Sequence, residues 1–114
     1  MEKYYLSFEY TPENISLARL NVSFIANKIG FNIEEVEDIK VSLSEALNIL
    51  LGSAKEVKIV FYSSEDKLDI EVVAIKPNGT KKEINKFAKI ILETLMDEVT
   101  IEEGLIKLSK KLKD

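Results

Sequence analysis

Two short runs of alternating apolar residues, Val57, Ile59, Phe61 and Leu68, Ile70, Val72, stand on either side of Ser63-Ser64-Glu65-Asp66. Alternation at period two is the pattern of a strand with one buried face. A polar link this short folds the second strand back along the first, so the segment predicts an antiparallel β-hairpin. A hairpin with one oily face is not stable alone in water. The rest of the chain must therefore supply more strands and a second layer to cover that face.

Both are legible. Tyr4, Leu6, Phe8 and Tyr10 alternate with Tyr5, Ser7 and Glu9, predicting a first strand that stops at Thr11. Thr11 can cap a helix, Pro12 suits the first helical position because its missing N–H has no partner there, and Glu13 favours the positive end of the dipole. Ile15, Ala18, Val22, Ile25 and Ile29 follow at helical spacing until Gly30 supplies a left-handed stop. Beyond Phe31, Asn32 and Glu35 have capping-box spacing. Val36, Ile39, Leu43, Ala46, Leu47 and Leu50 form a second stripe that Gly52 ends, with Glu35, Asp38, Ser42 and Glu45 along its edge.

Pro77-Asn78-Gly79 closes the hairpin's second strand, and Ile84, Phe87, Ala88, Ile91, Leu92 and Leu95 predict a third, strongly amphipathic helix. Val99 and Ile101, then Ile106 and Leu108, alternate around Glu102-Glu103-Gly104 and predict a final hairpin. The order β-α-α-β-β-α-β-β predicts an α+β two-layer sandwich: a mostly antiparallel sheet of about five strands with three helices on one face, as one domain over 1-114.

Composition narrows the chemistry. With no cysteine and no histidine among 114 residues, disulfides, thiolate metal sites, Cys or Ser-His nucleophiles and imidazole acid-base catalysis are excluded. Sixteen basic and 20 acidic residues, a net charge of -4, argue against a surface that follows a phosphate backbone. The basic end KLSKKLKD reads as a solvated strand end or tail. No apolar run approaches the roughly 18 residues of a membrane span, and the start MEKYYLSFEY is unlike a signal peptide. A cytoplasmic protein with neither nucleic-acid nor membrane partners is expected.

Three segments carry a resemblance: PENISLAR at 12 to 19, GFNIEEVEDIKVSLSEA at 30 to 46, and ETLMDEVTIEEG at 93 to 104. In order and separation they resemble the anti-sigma-factor serine kinases, small regulators of the GHKL (histidine-kinase-like) ATPase superfamily. The likeness spans nearly the whole chain and implies the histidine-kinase-like ATPase fold.

The resemblance also implies a nucleotide site, whose parts can be matched in turn. Family members carry a helical glutamate, a general base, and an asparagine four residues on that holds Mg²⁺. The glutamate matches Glu45. The asparagine position falls on Ile49, and Asn48, one residue early, is rotated by about 100 degrees and reads as a surface residue.

The family's Asp-x-Gly-x-Gly strand end, whose aspartate reads adenine, falls on Ala74, Lys76 and Asn78. Its phosphate-facing glycines fall near Lys86 and Ala88, where Phe87 belongs to the apolar stripe of a packed helix. About a dozen residues separate the strand end from the matched part of that helix, leaving no room for an ATP lid. Glu45 is then a vestigial catalytic residue, with no cofactor-binding or metal residue beside it.

The resemblance thus points to a degenerate member that binds proteins, a sigma factor or an anti-sigma-factor antagonist, as a homodimer, with no cofactor expected. Two alternatives stay open. One is an active ATP-dependent serine/threonine protein kinase using ATP and Mg²⁺, so that enzyme status is undecided but leans to none. The other is an α+β domain unrelated to sigma control. Among smaller features, Tyr4 and Tyr10 read as packing at the core's edge, and Lys81, Lys82 and Lys86 as a solvated helix start. Leu17, Leu20 and Phe24 lie off the first helix's main stripe, fitting either burial or a partner surface.

Overall fold

The computed structural model describes residues 1–50, 54–77 and 85–113, with the backbone alone at 76 and 77. Gly52, Asn78, Gly79, Lys81, Lys82 and Ile84, and the side chain of Lys76, lie outside the described residues. The elements are β1 (Glu2–Glu9), α1 (Pro12–Ile29), α2 (Ile33–Ile49), β2 (Ala54–Ser63), β3 (Lys67–Pro77), α3 (Lys86–Leu95), β4 (Glu98–Glu102) and β5 (Leu105–Lys111).

The strands form one sheet in the order β1-β2-β3-β5-β4, and every neighbouring pair is antiparallel. The hairpin that opened the sequence reading is β2-β3, which pairs Ile59 with Val72 and Phe61 with Ile70. β5 joins the free edge of β3 and leaves β4 at the rim.

The helices begin and end where local chemistry dictates. The Thr11 hydroxyl accepts the Asn14 N–H at 3.2 Å, with Pro12 behind it in the first turn. Gly30, at φ 113°, donates its N–H to the Ala26 carbonyl, a left-handed stop that costs glycine little. The Asn32 side chain accepts the Glu35 N–H at 2.8 Å while the Glu35 carboxylate accepts the Asn32 N–H at 3.0 Å, closing the capping box.

One core holds the two layers together. Val57, Ile59, Phe61, Leu68, Ile70, Val72, Ile106 and Leu108 project from one face of the sheet against Ala18, Val22 and Ile25 of α1, Ile39, Leu43 and Leu47 of α2, and Leu92 of α3. Each fully buried Leu or Ile contributes about 1.5–3 kcal/mol relative to exposure. α2 lies between α1 and α3. Tyr4 and Tyr10 are half-buried against this cluster, as their strand parity implies.

Three residues depart from the sequence reading. Phe87 is 78% exposed, because α3 starts only at Lys86 and its buried line runs through Ala88 and Leu92, about a quarter-turn away. Ser42, read at the edge of the α2 stripe, is fully buried. Lys110, read within a solvated basic end, is 6% exposed, paired opposite Leu68 on the core side of the sheet. Its ammonium donates to the Leu95 carbonyl at 2.6 Å, so a cation satisfies the negative end of α3.

Candidate functional site

The second half of α2, the end of β3 and the start of α3 carry the matched positions. Glu45 is half-buried, and Ile49 lies one turn on, on the same flank, half-buried and packed against the core. Asn48 is exposed. The carboxamide is thus turned to solvent while an alkyl side chain fills the place below Glu45.

On β3, Ala74 continues the core-facing line of Leu68, Ile70 and Val72, pairs with Val57, and donates its N–H to the Gly104 carbonyl at 2.9 Å. A half-buried methyl group, not a carboxylate, therefore faces the helix layer there. The strand reaches this point unbroken and runs on to Pro77. Lys86 and Ala88 lie in the first turn of α3, Lys86 exposed and Ala88 buried. Asn85 caps that turn, its carboxamide oxygen accepting the Phe87 N–H at 2.9 Å, so an N–H at this helix start already has an intramolecular partner.

Two contacts near the site could not be read from periodicity. The Tyr10 hydroxyl, at the end of β1, donates to the Leu47 carbonyl in the last turn of α2. Burial pushes the Tyr10 phenol up to about 12. The Arg19 guanidinium on α1 donates to the Ser44 hydroxyl at 3.3 Å, and Ser44 donates to the Lys40 carbonyl at 3.1 Å, tying α1 to the turn that carries Glu45. Only the residue types, polar groups beside apolar stripes, hinted at either.

The sheet's other face is open. Lys3 lies over the Tyr62 ring at 5.5 Å and Lys58 over the Tyr5 ring at 5.4 Å, so the β1-β2 side is aromatic, with Glu9 and Glu56 paired on the same face. Across the same face a groove is lined by Asp69, Glu71, Glu98, Thr100 and Lys107 from β3, β5 and β4. Strand parity was the available signal, since these are the alternate positions that the core does not use. Among the described residues no three acidic or metal-ligating side chains gather into a cation cluster, and no helix is long and apolar enough to cross a membrane.

Comparison with known proteins supplies the family. No family model matches the chain. A protein of Listeria innocua named serine-protein kinase RsbW is 31% identical over 133 aligned positions, which take in 91% of this chain and 83% of that protein. A Bacillus cereus protein of the same name is 30% identical over 135 positions, covering 96% of this chain and 84% of the relative. The chain belongs to the RsbW serine-protein kinase family.

A crystal structure of the RsbU and RsbW domains of Rv1364c from Mycobacterium tuberculosis superposes on 99% of this chain with a TM-score of 0.68. At 10% identity that match shows the fold, and this chain spans 32% of the longer one. RsbW relatives are longer within the matched region: 91% of 114 residues is about 104, so about 29 of the 133 aligned positions face a gap here.

Proposed function

We propose that this RsbW-family chain is an anti-sigma regulator that acts by protein binding and has lost the phosphoryl-transfer chemistry of its kinase relatives. The carrying observation is that Ile49 packs against the core one turn from Glu45, at the position where the resemblance expects a metal-holding carboxamide. Three further features support the reading. Ala74 presents a methyl group where the family's fold places a carboxylate for adenine. The first turn of α3 is helix capped by Asn85, not a glycine loop open to phosphates. The chain is also shorter than its relatives within the matched region, consistent with a single domain that lacks an ATP lid.

This donor set does not fit Mg²⁺-ATP. Phosphoryl transfer relies on the metal and on positioning for almost all of its acceleration, so Glu45 alone cannot sustain it. Glu45 is read as vestigial. The proposed partners are a sigma factor or an anti-sigma-factor antagonist, and a cytoplasmic location goes with that proposal.

The open sheet face supports a homodimer. Both halves of that face mix acidic and basic residues, and a two-fold axis along the strands lays the aromatic β1-β2 side of one copy against the β3-β5-β4 groove of the other. Sedimentation of the chain at low and high salt checks this: a dimer that loosens with salt is expected, and a monomer at high protein concentration would remove it.

The competing reading, an active serine/threonine kinase, is favoured by the kinase name of the relatives and by the retained Glu45. Calorimetric titration with ATP and Mg²⁺ decides between them. The expected result is no saturable binding at millimolar ATP. Tight binding together with phosphorylation of an antagonist protein would establish the kinase.

A further inference from the structure

The groove on the open face of the sheet has a volume of about 320 Å³, at the small end of the roughly 300–1,000 Å³ of small-molecule sites. Its floor is the cross-strand row Asp69, Ser109, Glu98, in which Ser109 of β5 stands opposite Asp69 of β3 on one side and Glu98 of β4 on the other. Neighbouring strands lie about 4.8 Å apart, so the two carboxylates rise on either side of a serine too short to fill the space between them. Ser109 is 5% exposed, and its hydroxyl makes no hydrogen bond to any described residue. A small polar group is thus sunk between two acids with its bonding capacity unused.

One row along the strands, Glu71 lines the groove opposite Lys107, and Tyr62 closes its β2 side. Three carboxylates therefore meet a single side-chain ammonium. Among the described residues Lys107 is in no ion pair, and Asp69 has only Lys67, at 3.6 Å on its own strand. The Tyr62 ring already has the Lys3 ammonium over it at 5.5 Å, so this wall is a surface on which cations rest.

From this we propose that the groove binds a short alkyl diamine, with one ammonium over Ser109 between Asp69 and Glu98 and the other one row on, against Glu71. An alkylammonium has three donors and no acceptor, and the two carboxylates and the free hydroxyl offer it three acceptors around one point. Residues two apart on a strand are about 6.8 Å apart, a span that a short methylene chain crosses while lying along Tyr62. A metal ion does not suit this layout, because no three acidic side chains among the described residues gather closely enough to ligate one. A lysine side chain of another protein brings one cation and leaves either Glu71 or the Asp69-Glu98 pair unmet. The site is independent of the sigma-factor or antagonist reading. It uses the face on which a second copy is proposed to pack, so the diamine and that copy exclude each other there.

Calorimetric titration of the wild-type chain with putrescine at low salt is expected to show saturable binding of one diamine per chain at millimolar concentrations or below. Glu98→Gln is expected to weaken it up to about fivefold, the range of an exposed charge pair, and Ser109→Ala by a similar factor. Lys107→Met has the opposite sign: it removes the one side-chain cation facing the ligand and is expected to tighten binding. Glu34→Gln, which removes an equal charge from the first turn of α2 in the helix layer, is expected to change nothing. Butylamine, with a single ammonium, is expected to bind at least about fivefold more weakly than putrescine. Circular dichroism and unfolding curves show that each variant is folded.

No saturable binding of putrescine by the folded wild-type chain removes the site and leaves the proposed function standing. Equal weakening in Glu34→Gln and Glu98→Gln means that the diamine follows overall negative charge, and removes the site as well. Weaker or unchanged binding in Lys107→Met contradicts the placement of the cation. Butylamine binding as tightly as putrescine shows a one-cation site, of the kind that a lysine side chain fills, and overturns the diamine. Sedimentation with and without putrescine separates this site from the proposed dimer. Dissociation of the dimer by putrescine supports the shared groove, whereas a dimer with putrescine bound moves the subunit contact off this face and leaves the site standing.

Discussion

Ser42 is fully buried in α2, and its hydroxyl has no hydrogen-bond partner among the described residues. A hydroxyl in that position forgoes its bond to water and gains nothing back, a penalty of about 1–3 kcal/mol. Ser42→Ala is therefore expected to raise stability by about 1 kcal/mol, read as a higher urea midpoint at unchanged slope. Tyr10 makes the opposite case, because its hydroxyl is used. Tyr10→Phe removes one of two donors from the Leu47 carbonyl, which keeps the Leu50 N–H at 3.1 Å, and is expected to cost about 1 kcal/mol.

The pH dependence of Tyr10 follows from burial. Its phenol titrates at about 12 in the folded chain against an ordinary 10, so folding favours the protonated form. That contribution is complete below pH 10 and is lost as pH rises from 10 through about 12. Denaturation curves across this window are expected to show a fall in stability that Tyr10→Phe reduces. The core-edge packing of Tyr10 was legible from strand parity, but neither hydroxyl's surroundings were, because a serine at the edge of a helical stripe and a phenol at a strand's end fix no polar contact until the layers are stacked.

At the scale of elements, the sequence announced what local chemistry determines. Thr11-Pro12, Gly30 and the Asn32-Glu35 box mark helix ends because their partners lie within four residues. Period-two runs marked all five strands, because alternation between core and solvent faces is written residue by residue even where the paired strand is distant. What failed was the start of α3 and the end of β5. Phe87 fits an apolar spacing, yet a helix beginning at Lys86 leaves it a quarter-turn off the buried line.

Lys110 looks solvated among its neighbouring lysines, but strand parity carries it to the core side, where the C-terminus of α3 supplies a carbonyl. Lys110→Met keeps most of the side chain's length and apolar stem while removing the donor. It is expected to destabilise the chain by about 1–3 kcal/mol and to raise amide exchange in the last turn of α3. A Lys110→Met chain as stable as wild type, with unchanged exchange, would mean that the ammonium contributes no more than water does.

At the scale of the whole molecule, the question is whether the proposed loss of nucleotide binding rests on two side chains or on the architecture around them. The resemblance assigns Glu45, Ile49 and Ala74 one by one, since each is a single position in a matched motif. The architecture around them was not legible, because it depends on where α3 begins and on how far β3 runs. The double variant Ile49→Asn, Ala74→Asp separates the two possibilities. It restores a carboxamide one turn from Glu45 and a carboxylate on the core-facing line of β3.

If the architecture is decisive, the variant gains no saturable ATP binding by calorimetry with Mg²⁺. The α3 start still presents a buried Ala88 and an N–H already taken by Asn85. Stability is expected to fall by about 1–2 kcal/mol, because Asn replaces a half-buried alkyl group and Asp introduces a charge toward the helix layer. Micromolar ATP affinity in this variant would show that side-chain loss alone separates the chain from its kinase relatives. No ATP binding in a folded variant would show that these two side chains are not sufficient for a nucleotide site in this chain.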